Sequence, residues 1–257
     1  MRAVIALSGG MDSTALLMRL LADGHVVSCL SFYYGQKHSI ELQRAKTNIA
    51  YLSDKGIEVE HREMDLSSAM AMFHSALTSE GYEVPQGHYE EDAMKQTVVP
   101  NRNAIFTSIL YGYALSIALR EDCEVKISLA VHSGDHAIYP DCRPEFYSAL
   151  EKAFDIGNWD SEKVSFHLPY LKRDKETILR DAEQSLSILK LDFDSVFANT
   201  STCYNPDSKG RASGTSGADV ERILAFHAIG RKDPVEYVDE WQVVLNNALS
   251  KERELKS

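Results

Sequence analysis

An apolar run at the N-terminus, Ala3-Val4-Ile5-Ala6-Leu7, leads straight into Ser8-Gly9-Gly10-Met11-Asp12-Ser13-Thr14. An apolar helical pattern through Ala15, Leu16, Met18, Leu20 and Leu21 follows. No other feature constrains the fold as much. An apolar run without polar alternation reads as a strand covered on both faces, which is how strands sit in parallel sheets wrapped by helices. The alternation then recurs. Strands are expected at Val26–Phe32, Ile57–Met64, Val125–Val131 and Val164–Leu168. Helices are expected at 39–53, 103–120 and Glu145–Ile156, and from Lys175 onward. The expected class is α/β, a Rossmann-like parallel sheet flanked by helices. A polar stretch near 67–97 interrupts the pattern and reads as a lid-like insertion.

After residue 200 the character changes. Pro206 to Asp219 holds three glycines and four serines or threonines and reads as a loop. Helices are expected at Val220–Ile229 and Val235–Leu249, the second with an apolar stripe at Val238, Trp241, Leu245 and Leu249. With no long linker and no repeat, 1–257 reads as one domain: a core over 1–200 and a C-terminal part over 201–257.

Composition removes several functional classes. The 27 Lys+Arg against 38 Asp+Glu give a net charge of −11, which argues against general nucleic-acid binding. No run approaches the ~20 apolar residues of a membrane-spanning helix, and the first apolar run is too short for a secretory signal. Four scattered cysteines without a CxxC pair read as free thiols of a cytoplasmic protein.

The Ser8–Thr14 string combines glycines, three hydroxyls and a helix start, which together suit phosphate oxygens. Its bland alternative is a turn in which Asp12 or Ser13 merely caps the helix. It is not a Walker A loop, since no G-x-x-x-x-G-K-[ST] occurs. It resembles the pyrophosphate loop of the N-type ATP pyrophosphatases. That resemblance implies adenylation of a substrate oxygen with release of pyrophosphate. Ser8, Gly9, Gly10, Asp12, Ser13 and Thr14 would bind ATP. An acidic residue facing phosphates needs a cation between, so Asp12 implies Mg²⁺.

Further strings narrow the resemblance: Phe32-Tyr33-Tyr34-Gly35-Gln36-Lys37-His38 with Glu41, Leu42 and Ala45; Val99-Pro100-Asn101-Arg102-Asn103; Gly134 through Arg143; Leu168-Pro169-Tyr170 before Lys175; and Thr202-Cys203-Tyr204. In this order they are similar to the 7-cyano-7-deazaguanine synthases, from Ser8 through Tyr237. The resemblance implies that ATP adenylates the carboxylate of 7-carboxy-7-deazaguanine. Ammonia then gives the amide, and a second adenylation dehydrates it to the nitrile.

Residue chemistry fits this independently. Charge developing on phosphorus needs a nearby cation, for which Lys175 and Arg102 are candidates. Asp12 completes the candidate catalytic set. A deazapurine needs a flat slot and edge hydrogen bonds. Tyr139 could stack, Asp135 or Asp141 could accept from the base, and Arg143 could pair with a carboxylate or phosphate. Tyr34, Gln36, His38 and Arg102 complete the candidate substrate set. Asp141 and Arg143 could equally satisfy each other. His132 and His136 invite a metal reading, but after a strand they read better as hydrogen-bonding loop histidines.

One departure stands out. The family carries a structural zinc on four cysteines. Here Cys203 remains, while the other three positions fall on Ser213, Ser216 and Asp219. Hydroxyls are poor zinc ligands, so no tightly bound structural zinc is expected, and hydrogen bonds should hold the loop. Asp219 could cap a helix starting at Val220. The departure leaves a second reading open, a paralogue that passes the adenylate to another amine such as a protein or peptide N-terminus, in antiphage defence. A nucleotide-binding module without turnover is a third. The expected assembly is a cytoplasmic homodimer.

Overall fold

The computed structural model describes residues 1–36, 40–75, 98–132, 134, 139–203 and 206–256. His38, Asp135, His136, Tyr204 and most of the expected lid lie outside the described residues. Among the described residues, five strands form one sheet in the order β3-β2-β1-β4-β5, with every pairing parallel. They are β1 (Arg2–Ala6), β2 (Val26–Tyr33), β3 (Glu60–Asp65), β4 (Val125–Ser128) and β5 (Val164–His167). The first strand is central because its side chains are apolar on both faces. Ala3, Ile5 and Leu7 join the core beneath α1 (Met11–Ala22), α2 (Ile40–Asp54) and α6 (Lys175–Leu189). Val4 faces the other way, with Leu30, Phe32 and Ile127, toward α4 (Arg102–Glu121). This one-residue alternation is the strand periodicity that lets a single run serve two cores.

The remaining helices are α3 (Ser67–Met70), α5 (Pro144–Gly157), α7 (Phe193–Ala198), α8 (Gly217–Ala228) and α9 (Trp241–Lys256). Among the described residues, no helix is long and apolar enough to cross a membrane.

Four boundaries differ from the sequence expectation, each for a tertiary reason. The third strand begins at Glu60, because Ile57 and Val59 pack on the core from the loop before it. Its Glu60, Arg62 and Glu63 lie on the sheet edge, where charges discourage pairing with other chains. The fourth strand stops at Ser128, and Ala130 to His132 turn away to line a cavity. The last helix starts at Trp241 instead of Val235. Glu236 and Val238 instead extend to exchange backbone hydrogen bonds with Ala212 at 2.9 Å each. Finally, α8 starts three residues earlier than Val220. The short α7, capped by Asp192, was too brief to show a helical period.

Candidate active site

In an open parallel sheet, the two crossovers from the central strand leave in opposite directions and open a crevice beyond its C-terminal end. Here β1 lies between β2 and β4, and a cavity of about 300 Å³ sits there. Its wall includes Ser8, Gly10, Asp12, Ser13, Arg102 and Lys175, drawn from stretches up to 167 residues apart.

The loop after β1 is shaped by Gly9. Its φ is +86°, and a Cβ there would fall 1.9 Å from the backbone oxygen of Glu41. Only glycine allows α2 to approach so closely. Ser8 Oγ lies 2.9 Å from Ser13 Oγ, Gly10 N donates to Ser8 Oγ at 3.2 Å, and Ser13 Oγ donates to Gly10 O at 3.2 Å. The N-cap of α1 is Gly10, which provides no side-chain cap. Neither Asp12 nor Ser13 therefore acts as the cap, and the helix presents its positive end and uncapped first turn to the cavity.

Asp12 lines the cavity with Oδ1 buried and without a hydrogen-bond partner, while Oδ2 lies 3.8 Å from His132 Nε2. His132 is buried, and its Nδ1 accepts from Gly134 N at 3.1 Å. This agrees with a hydrogen-bonding loop histidine. Thr14 differs from expectation. It is completely buried and off the cavity wall, because one further helical residue turns its hydroxyl into the core. Gly9 is also off the wall; its part is to let α2 close on the loop.

Arg102 opens α4 after Asn101, which adopts a left-handed backbone with φ 59°. Its guanidinium donates to Tyr34 Oη at 3.2 Å and lies 5.7 Å from that ring's centre. Tyr34 is held edge-on to Phe106. Gln36 accepts from Tyr34 N at 2.8 Å and donates to Phe32 O at 3.3 Å, bracing the turn from within. Lys175 is the first residue of α6, behind Asp174, whose side chain accepts from Thr177 N. A lysine there opposes the helix dipole. Instead of pointing to solvent it is only 9% exposed, with Nζ 2.7 Å from the Glu221 carboxylate of α8.

The second substrate group is arranged differently from the sequence expectation. Pro140 starts a tight turn over Pro140–Cys142 that carries Cys142 onto the cavity wall. Tyr139 is instead buried against Cys142 and Ala218, so stacking in the cavity is not what its position offers. Arg143 is the exposed N-cap residue of α5. Asp141 is off the wall too, with Oδ1 buried and without a hydrogen-bond partner.

The positions Cys203, Ser213, Ser216 and Asp219 do come together. Asp219 Oδ2 accepts from Ser213 Oγ at 2.8 Å, Gly214 N at 3.1 Å, Cys203 Sγ at 3.2 Å and Ser216 N at 3.4 Å. Asp219 N donates in return to Ser216 Oγ at 3.2 Å, completing a capping box. So Ser216, not Asp219, is the cap of α8. One thiol, two hydroxyls and one carboxylate already hydrogen-bonded to one another do not fit a tetrahedral zinc site. One turn on, the fully buried Arg222 grips Asp233 through Nε at 2.6 Å and NH2 at 2.9 Å, and donates to Thr200 Oγ1 at 2.8 Å.

Sequence reasoning assigned no role to Glu41 or Glu221, although both carboxylates reach this site. Glu41 stood inside a quoted string, four residues before Ala45. Glu221 carried no signal, since only the docking of α8 brings it to Lys175.

Sheet and site together define a Rossmann-like α/β protein with a glycine loop and an uncapped helix start at the sheet's switch point. More narrowly, the chain belongs to the family described as queuosine biosynthesis protein QueC, whose model matches residues 2–230. It is 42% identical over 237 residues to the 7-cyano-7-deazaguanine synthase of Methanoregula boonei, covering 92% of this chain and 99% of that protein. The enzyme of the same name from Caldicellulosiruptor saccharolyticus is also 42% identical, covering 92% and 96%. So is 7-cyano-7-deazaguanine synthase 2 of Colwellia psychrerythraea, covering 92% and 98%.

Proposed function

We propose that this chain is an ATP-dependent carbon–nitrogen ligase that converts 7-carboxy-7-deazaguanine into 7-cyano-7-deazaguanine through the amide, releasing AMP and pyrophosphate. The observation that carries the reading is the uncapped loop and helix start facing Arg102 and Lys175 across one cavity. A carboxylate oxygen is a poor leaving group, and transfer of AMP onto it makes it a good one. Ser8, Gly10, Ser13 and the first turn of α1 bind the departing phosphates. Lys175 exchanges its Glu221 partner for charge developing on phosphorus, and Arg102 does the same from α4.

Asp12, with its unpartnered Oδ1, fits the residue that would hold Mg²⁺, and that ion would supply charge neutralisation to the phosphates. At the loop of Cys203, Ser213, Ser216 and Asp219 the proposal includes no zinc.

The test is mass spectrometry of products from purified protein, Mg²⁺–ATP and 7-carboxy-7-deazaguanine, with and without ammonium. Nitrile that appears only with ammonium supports the reading. If neither AMP nor pyrophosphate forms, the reading falls. A second reading rests on the replaced positions Ser213, Ser216 and Asp219, which lead into α8, a helix that reaches the cavity wall at Ala218. In it, a different amine, such as a protein or peptide N-terminus, takes the acyl group. Adenylate or amide accumulating without nitrile favours it.

A further inference from the structure

The chemistry proposed above contains a proton that none of its residues takes. When an amine attacks the acyl adenylate, its nitrogen becomes positively charged as the C–N bond forms. The C–O bond to phosphate breaks, and AMP leaves with the electron pair. The nitrogen must shed a proton for the amide to form. Lys175 and Arg102 are cations, and Asp12 is committed to Mg²⁺. The Nδ1 lone pair of His132 already accepts from Gly134 N, and its Nε2 is turned toward Asp12.

Glu41 remains. It lies in the first turn of α2 and lines the same cavity. Its backbone oxygen touches the phosphate loop at Gly9, at a separation that leaves no room for a Cβ. The phosphate loop and the first turn of α2, which carries Glu41, are therefore packed together as one wall. We infer that Glu41 accepts the proton released by the attacking amine and passes it to solvent, an inference that rests on the adenylation reading above. The other charged groups on this wall are Asp12 of α1, Arg102 of α4 and Lys175 of α6, with His132 beyond β4. Burial pushes the Glu41 carboxyl up to about 7, with the Arg102 guanidinium opposing. A base poised near neutrality is what efficient proton transfer calls for.

Two rates separate this role from the others. Adenylation alone is read by exchange of labelled pyrophosphate into ATP that depends on 7-carboxy-7-deazaguanine. Amine capture is read by amide and nitrile formation at a constant concentration of free ammonia. For Glu41→Gln, checked by thermal unfolding, the ratio of capture to exchange is expected to fall about 100-fold or more. Wild-type capture is expected to show an acid limb near neutrality that Glu41→Gln lacks, and Glu41→Asp is expected to keep part of both rate and limb. An unchanged ratio, with both rates lost together or both retained, overturns the inference. Wild-type protein that shows no carboxylate-dependent exchange overturns the adenylation reading, and this inference with it.

Discussion

Two helices in this molecule begin from a loop of serines and glycines, and they begin in opposite ways. Ahead of α1, no side chain caps the first turn, and Asp12 keeps an oxygen without a partner. Ahead of α8, Ser216 and Asp219 form a complete capping box, and one oxygen of Asp219 accepts four hydrogen bonds. The compositions are almost the same. Each first turn keeps one buried carboxylate oxygen without a partner, Asp12 Oδ1 and Asp219 Oδ1, but Asp12 lines the cavity, whereas Asp219 is completely buried behind its capping box. A buried polar group without a partner costs free energy. At Asp12 that cost is carried on the wall of a cavity, where a ligand can offset it, whereas at Asp219 it is carried inside a structural joint.

The largest effect should come from converting the second loop. Replacing Ser213, Ser216 and Asp219 by cysteine places three thiols beside Cys203, and zinc bound to four thiolates contributes on the order of 10 kcal/mol. Metal analysis should find one zinc per chain; finding none would sink the placement of those positions. Lys175→Ala acts on the other side of the comparison. Adenylation should fall by about 1,000-fold, roughly 4 kcal/mol, while ATP binding by calorimetry stays largely intact. Full turnover would remove Lys175 from the reaction.

Gly9→Ala should cost about 3–4 kcal/mol, from the left-handed backbone and the collision with Glu41 O together. Thermal unfolding and nucleotide binding should both decline, since the contact sets the loop. Asp219→Ala strips the carboxylate from the closed loop and should lower stability by about 2–3 kcal/mol in urea unfolding. If it costs no more than a surface substitution, the loop is not held by that carboxylate.

The last effect is a pH dependence. Because the folded carboxyl of Glu41 titrates at about 7, above its ordinary value, its protonated form favours folding. That contribution is complete in acid and is lost as pH rises through about 7. Glu41→Gln should therefore gain stability relative to wild type between about pH 5 and 8. A difference that does not vary with pH would show that Glu41 is not buried in the folded state.

Much of this is legible in the sequence alone. The unbroken apolar run Ala3–Leu7 set a strand covered on both faces, and the helical periods after it set a parallel sheet with its loop at the crevice. Those features are local, since they depend on side-chain spacing within a few residues. Lys175 and Arg102 were legible as chemistry at two separate helix starts, and their meeting across the cavity waited for the sheet order. What stayed hidden depended on the approach of distant segments. Thr14 looked equivalent to Ser13, but one further residue of α1 turns its hydroxyl into the core. Tyr139 looked free to stack, but the Pro140 turn buries it against Ala218. Val235 looked like the start of a helix until Ala212 claimed that backbone for an extended pairing.

The sequence by itself determined which segments are strands and helices and where a phosphate-type loop falls, because periodicity and glycine placement act over one turn or one pleat. Only the tertiary structure decided which carboxylates join the cavity wall and its lysine. Glu41 arrives by the close packing of α2 on Gly9, and Glu221 by the docking of α8 on α6. Those approaches are set by the packing of whole elements, and no short stretch of sequence encodes them.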